Sequence, residues 1–377
     1  MQFNRFEEFF HQRHSVSASA PGRVNLIGEH TDYNQGFVFP AAINFGTQVL
    51  AAPRTDRHVN IVALDYGGER NSFSLAGEIG FDASSTWSNY VRGVLRVMQE
   101  AVGPIDGLDI LVSGNVPRGA GLSSSASFEV ALLKAVNDVF SLGLNGVEAA
   151  KIGQRAENEF VGCSCGIMDQ LISANGRKGQ AMLLDCRTLE EAHTPISADH
   201  QIVIINSNVE RGLVDSEYNL RRQQCEAAAL KLGVASLREA DDDLLQKGKA
   251  SLADKEFRRA RHIVTENQRT VQMYSALREK NYDLVSTLMR DSHLSMRDDF
   301  EITVEPIDYL VDLVHSVIGN AGGVRMTGGG FGGCIVALCP TVLVDDVKRV
   351  VADKYQAKTG IEEKVYICTA EDGAFSR

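Results

Sequence analysis

The sequence predicts two α+β domains, and three observations lead there. Its 377 residues are enough for two separate cores. Short β-branched runs and amphipathic stretches are mixed along it, without the regular βα alternation of a doubly wound sheet. A polar stretch at 186–200, rich in Thr, Glu, Pro, Ser and Asp, separates two apolar segments. The expected domains are therefore 1–190 and 200–377.

The elements follow from periodicity. Runs at 108–113 (LDILVS) and 201–206 (QIVIIN) read as buried strands. Within 128–140, Leu132, Val136 and Val139 recur at i, i+4 and i+7, which gives a helix one apolar face. Helices are also expected over 146–160 and 220–232. The charges of 238–255 fall at helical spacing and read as a solvated face.

Composition excludes several classes. A content of 44% hydrophobic and 23% charged residues is that of a globular protein, not of a collagen-like, disordered or membrane chain. The longest apolar run, 334–339, is far too short to span a bilayer. The start, MQFNRFEEFFHQRH, carries acidic residues and no apolar core, so no secretory signal is expected. Seven cysteines without a framework spacing suggest reduced thiols in a cytoplasmic protein. Cys163 and Cys165 lie close together but lack further ligands nearby, and read as structural thiols rather than a zinc site. A net charge of −11 disfavours nucleic acid and anionic lipid as partners. It does not favour ATP either, so a bound nucleotide must rely on local amides, a metal ion and a few cations.

Four segments carry candidate chemistry. At 117–127, PRGAGLSSSAS follows a predicted strand and opens a predicted helix. Gly119 and Gly121 let the backbone approach a phosphate, and the helix start adds free N–H groups and a positive dipole end. Ser123, Ser124 and Ser125 add hydroxyls and a candidate Mg²⁺ ligand. No Lys is present, so this is not a Walker A loop. Helix capping alone explains one serine, not three behind two glycines.

At 322–333, GGVRMTGGGFGG contains G-x-G-x-x-G, but a β-like run follows instead of a helix. The dinucleotide reading fails, and a strand, glycine loop and strand remain, with the loop packed against a neighbouring backbone or a ligand. At 20–36, Arg23, Glu29, His30 and Asp32 fall on one polar segment. Such groups discriminate a polyol, because a wrong isomer leaves them unpaired; a solvated loop is the plainer reading. Asp169 stands near the start of a helix, where the dipole favours a carboxylate, and Glu157 precedes it as an ordinary surface acid unless a metal is involved.

Together these segments resemble the galactokinases of the GHMP small-molecule kinase superfamily. The match lies in PGRVNLIGEHTDYNQG at 21–36, GAGLSSSAS at 119–127 and GGVRMTGGGFGGC at 322–334, with VGCSCGIMDQ at 161–170 and SEYNLRRQQCE at 216–226. It runs from about residue 15 to the C-terminus without a departure at these positions. The resemblance implies an N-terminal domain like ribosomal protein S5, a ferredoxin-like C-terminal domain and an active site between them.

It also implies roles. Gly119, Ala120, Gly121, Leu122, Ser123, Ser124 and Ser125 would wrap the ATP phosphates, and Ser125 with Glu157 would hold Mg²⁺. Asp169 would be the base for the sugar C1 hydroxyl, and Arg23 the cation that keeps it ionised. Glu29, His30, Thr31, Asp32 and Tyr218, with Asp169, would bind D-galactose. The implied product is α-D-galactose 1-phosphate, made in galactose catabolism by a cytoplasmic enzyme, expected as a monomer. The alternatives are a kinase for a related sugar such as N-acetylgalactosamine, and a non-catalytic galactose/ATP sensor. The sensors lack a Ser-Ala pair in the serine loop, and here Ser125-Ala126 is intact.

Overall fold

The two β-branched runs become interior strands of two different sheets. The computed structural model describes residues 2–117, 119–210 and 214–376. The chain begins with α1 (Gln2–Phe10), β1 (Val16–Asn25), β2 (Phe37–Val38), β3 (Pro40–Pro53), β4 (His58–Ala63), β5 (Glu69–Ser74) and α2 (Ser88–Val102). Strand β6 (Leu108–Gly114) leads to α3 (Ser124–Phe140), α4 (Gly146–Ala156) and α5 (Met168–Asn175). Strands β7 (Gln180–Asp185), β8 (Glu191–Pro195) and β9 (His200–Asn206) follow. Helices α6 (Val214–Leu232), α7 (Asp242–Gly248), α8 (Asp254–Arg278), α9 (Tyr282–Ser295) and α10 (Glu305–Ile318) come next. The chain closes with β10 (Gly323–Thr327), β11 (Cys334–Pro340), α11 (Val344–Thr359) and β12 (Lys364–Cys368).

The first sheet has the order β1-β3-β6-β4-β5, antiparallel except for the parallel pair β4/β6. Its two faces are separated by the period of two along β3. Val49 and Ala51 point into a core shared with α2, α3 and α4, whereas Leu50 and Ala52 pack under Phe6 of α1. A small sheet, β2-β7-β8, lies beside it.

The second large sheet has the order β10-β11-β9-β12, all antiparallel. One face, with Val203, Ile205, Ile335 and Ala337, packs on residues of α6, α8, α10 and α11. The other, with Ile202, Ile204, Val336 and Leu338, packs on Val24, Leu26, Ile27 and Phe39 of the N-terminal half. Strands buried on both faces need apolar residues at every position, which is why these runs show no alternation. The same burial fixes the two halves against each other along an apolar seam.

Three details differ from the reading of the sequence. The polar stretch at 186–200 contains β8, an edge strand of the small sheet, and its half-exposed side chains explain the polarity. Arg238 is no solvated residue: its guanidinium lies 3.6 Å from the ring centre of Phe37 and 2.9 Å from Asp185. Finally, the tail beyond β12 returns to the N-terminal half, where Ala370 bridges Ile43 and Phe375 joins the first core.

Candidate active site

The segment joining β6 to α3 is the serine–glycine loop; Arg118 within it lies outside the described residues. Gly119, Gly121 and Ser123 have φ of 70°, 72° and 59°, so every second residue is left-handed. That alternation is the backbone pattern of N–H concavities that hold anions. Ser123 occupies the N-cap of α3, yet its side chain makes no cap. Its hydroxyl donates instead to Asp169, so this serine is not spent on capping.

Arg23 arrives from β1 just past an irregularity in the β1/β3 register between Pro21 and Arg23, a feature that re-aims side chains. Its fork clasps Asp169, with Nε 2.7 Å from Oδ1 and Nη2 2.8 Å from Oδ2. The third arm, Nη1, donates to the Gly121 carbonyl at 2.7 Å. One guanidinium therefore ties the first turn of α5 to the serine–glycine loop. Asp169 keeps 27% of its side chain exposed and faces a cleft of about 650 Å³. The cleft is closed from the C-terminal half by Tyr218, Asn219, Gly328 and Gly329.

The polar loop after β1 forms another wall of the cleft. Glu29 is buried and receives Gly328 N–H, an Asn25 amide and Arg325, whose Nη2 is 3.2 Å away. His30 adopts a left-handed φ of 62°, unusual for a non-glycine residue and frequent at functional sites. Its Nδ1 shares a 2.8 Å hydrogen bond with Tyr33 Oη, and its ring packs 4.8 Å from that of Tyr218. Burial, with His262 and Arg221 nearby, lowers the imidazole to about 3, so it is neutral. Nε2, near the Gly329 amide, has no well-formed hydrogen bond among the described residues. Asp32 sits where Gly166 leaves room, since a Cβ there would stand 2.0 Å from Asp32 Oδ2. Burial of the Tyr218 phenol, with Asp32 close by, raises it well above its ordinary value and keeps it neutral.

Two expectations are corrected. Thr31 does not reach the cleft: it is fully buried, and its hydroxyl is directed at the backbone carbonyls of Gly28, at 2.9 Å, and Phe37, at 2.6 Å. It staples the loop instead of meeting a ligand. Ala120, by contrast, buries only its methyl group in the apolar core and keeps its backbone in the serine–glycine loop. Glu157, read as a surface acid, is buried on a π-helical turn that continues α4, a turn type common at functional sites. It hydrogen-bonds to Ser125 and receives Gln170 Nε2 at 2.7 Å.

The second glycine loop joins β10 and β11 as the expected hairpin. Gly330 has φ +88°, and a Cβ there would come within 2.6 Å of the Ile302 carbonyl. Replacing Gly330 by Ala should therefore destabilise the chain by about 2–3 kcal/mol, from backbone strain plus overlap. Chemical denaturation at equilibrium measures this, and an unchanged midpoint would contradict it.

Sequence reasoning missed several residues. Arg325 is a fully buried charge in an apolar strand; that oddity alone signals a buried carboxylate partner. Trp87, Tyr66 and Tyr90 border a second cavity of about 240 Å³ that shares Tyr90, Ser124 and Ser125 with the cleft. Trp87 and Tyr90 stand at the start of α2 and Tyr66 in the connection after β4, so no single local pattern announces all three.

Comparison with known proteins bears on this geometry. Residues 4–53 match the model for the galactokinase galactose-binding signature. Residues 89–177 match the GHMP kinase N-terminal domain and 273–357 the C-terminal one. The fold is similar to galactokinase from Lactococcus lactis in complex with galactose: TM-score 0.91 and 34% identity, covering 99% of this chain and 98% of the other. Mevalonate kinase from Methanococcus jannaschii shares the fold alone, at TM-score 0.65 and 17% identity over 95% of this chain and 99% of its own. A D-glycero-D-manno-heptose 1-phosphate kinase from Bacteroides thetaiotaomicron does so at TM-score 0.62 and 17% identity, over 95% and 97%. With both GHMP domains, a galactokinase signature and similarity to a galactokinase over nearly the whole chain, the protein belongs to the galactokinase family of ATP-dependent sugar kinases.

Proposed function

We propose that this chain transfers the γ-phosphoryl group of ATP to the C1 hydroxyl of D-galactose, giving α-D-galactose 1-phosphate and ADP. The single observation that carries this reading is the Arg23 fork, which holds Asp169 between the phosphate loop and the polar loop in one cleft. A donor phosphate in the loop and an acceptor hydroxyl on the polar side would meet at that carboxylate.

Phosphoryl transfer needs alignment and charge neutralisation more than covalent help. Asp169 accepts the C1 hydroxyl proton as the oxygen attacks phosphorus; Oδ1 receives only Arg23 among the described residues, so a lone pair is left for it. Arg23 aims that carboxylate and adds positive charge beside the transferring group. The loop amides at 119–123 donate to the phosphate oxygens. His30 Nε2, Asp32, Glu29 and the Tyr218 hydroxyl supply polar contacts for the sugar hydroxyls. The aromatic cavity of Trp87, Tyr66 and Tyr90 next to Ser124 suits the adenine base.

Ser125 and Glu157 fit a magnesium ion. Both are hard oxygen donors on the cleft wall, and Glu157 is buried with Ser125, Cys165 and Gln170 as neighbours, none of them cationic. Mg²⁺ is held by few carboxylates with phosphates and water completing its shell, and when bound it would neutralise nucleotide charge. We also place the domain boundary at 190–200 and read the protein as a monomer in the cytoplasm, the compartment being supported by its seven free cysteines.

Asp32 gives this reading a pH signature. Burial, then repulsion from Asp169, raises its carboxyl to about 6. Above that pH it is ionised and accepts sugar hydroxyls; below it, protonation removes the acceptor. KM for galactose should therefore rise as pH falls from about 7.5 to about 5, and Asp32→Asn should have a high KM that lacks this component. A wild-type KM flat across the range would contradict the assignment.

The direct test is incubation with Mg·ATP and a panel of sugars that includes galactose and N-acetylgalactosamine. Galactose 1-phosphate is expected, together with loss of turnover on addition of EDTA. No product from galactose would remove the proposal.

A further inference from the structure

The polar loop that lines the sugar side of the cleft is held from behind by one helix of the C-terminal half. Glu266 of α8 is fully buried, a costly place for a carboxylate unless every lone pair has work. Its Oε1 accepts the Gly28 N–H at 3.0 Å and the Ser292 hydroxyl at 2.6 Å, and its Oε2 accepts Arg269 Nε at 2.8 Å. One turn earlier, the buried His262 has Nε2 3.1 Å from the Glu29 carbonyl and Nδ1 2.9 Å from Ser295 Oγ. With the serine hydroxyl donating to Nδ1, Nε2–H is the tautomer that donates to Glu29. Next to Glu266, Asn267 Oδ1 accepts the Phe37 N–H at 2.8 Å. Positions 262 and 266 share a face of α8, and 267 stands on its flank.

None of these three side chains lines the cleft. All of them act on main-chain atoms of the segment 28–37, between which stand Glu29, the left-handed His30 and Asp32. They also fall in a stretch, 254–272, that none of the matched family segments includes. Holding two domains together calls only for apolar contact, which the seam of Ile202, Ile204 and Phe39 already supplies. A buried acid and imidazole and a partly buried amide, aimed at peptide groups at the two ends of one loop, do something more specific: they fix the backbone from which the sugar contacts project.

We propose that Glu266, His262 and Asn267 are positioning residues for sugar recognition, a cross-domain template that sets the conformation of the loop 28–37. This rests on the galactose reading above. The template touches no part of the phosphate loop, so losing one of its hydrogen bonds weakens sugar binding and leaves nucleotide binding as it was.

Asn267 offers the mildest test, because its side chain is only partly buried. In Asn267→Ala the Phe37 N–H loses its acceptor, and the galactose dissociation constant, measured by calorimetry, should rise about tenfold. KM for galactose should follow, while KM for ATP stays within about twofold. Asn267→Asp keeps an acceptor oxygen and should recover most of that loss. Glu266→Gln should show the same split where it folds; if it does not fold, the Asn267 pair decides. Equal changes in both KM values, or an aspartate variant as impaired as the alanine one, would overturn the template. A wild-type chain that binds galactose but phosphorylates none would remove the reaction and not the template, whereas one that binds no galactose would remove both.

Discussion

Asp169→Asn is expected to lower turnover on galactose by about 10²–10⁴-fold, the usual contribution of a positioned general base. The amide has the shape of the carboxylate but no basic oxygen for the sugar proton. It also faces three donors, Arg23 Nε, Arg23 Nη2 and the Ser123 hydroxyl, with an NH₂ group where one oxygen stood. One donor set therefore loses its acceptor, at a cost of about 1–3 kcal/mol in stability. The proposed phosphate contacts are backbone amides of the loop at 119–123, which this substitution leaves in place, so ATP affinity should hold. Steady-state rates alongside nucleotide binding separate the two effects. Turnover close to that of the unaltered chain would exclude Asp169 as the base.

Arg23→Ala should have the second largest effect, a loss of about 10²–10³-fold in turnover, comparable to deleting a preorganised charge donor at a transition state. It removes three hydrogen bonds and the strut between α5 and the Gly121 carbonyl. The stability cost should be about 1–3 kcal/mol, less than for a fully enclosed pair, because Asp169 is 27% exposed and water reaches it once it is alone. Arg23→Lys should recover little, since a point charge cannot bridge a carboxylate and a carbonyl as a fork does. Residues that act as one unit are not additive, so a variant carrying both Arg23→Ala and Asp169→Asn should fall only slightly below the poorer single one. Multiplied losses in the double variant would show that the two groups work separately.

How far the sequence could be read depended on whether each signal was local. The glycine loop at 328–333 was legible as a hairpin because a β-like run, not a helix, follows it, and β10 and β11 pair in that way. The serine loop was legible as more than a cap, and Ser123 indeed turns its hydroxyl away from the helix start to Asp169. The strand β8 was not legible, since an edge strand exposed on one side has the composition of a loop. Thr31 was misplaced for a related reason. Its neighbours Glu29, His30 and Asp32 all border the cleft, but a left-handed residue at His30 turns the chain and sends the threonine inward.

Without coordinates, the chain itself determined its family, its two-part α+β plan and the candidate phosphate and sugar segments. These are written in backbone requirements and polarity patterns that span only a few residues. The resemblance had paired Arg23 with Asp169 and Ser125 with Glu157, but only the tertiary structure decided their geometry and the contacts that no motif announces. The Arg23–Asp169 pair joins residues 146 positions apart, and the Glu266–Gly28 contact spans 238. It decided the aromatic cavity by gathering Tyr66, Trp87 and Tyr90, and it decided that Glu157 is buried beside Ser125. The physical reason is that such contacts are set by how strands and helices pack across an apolar seam, and spacing along the chain holds no record of that packing.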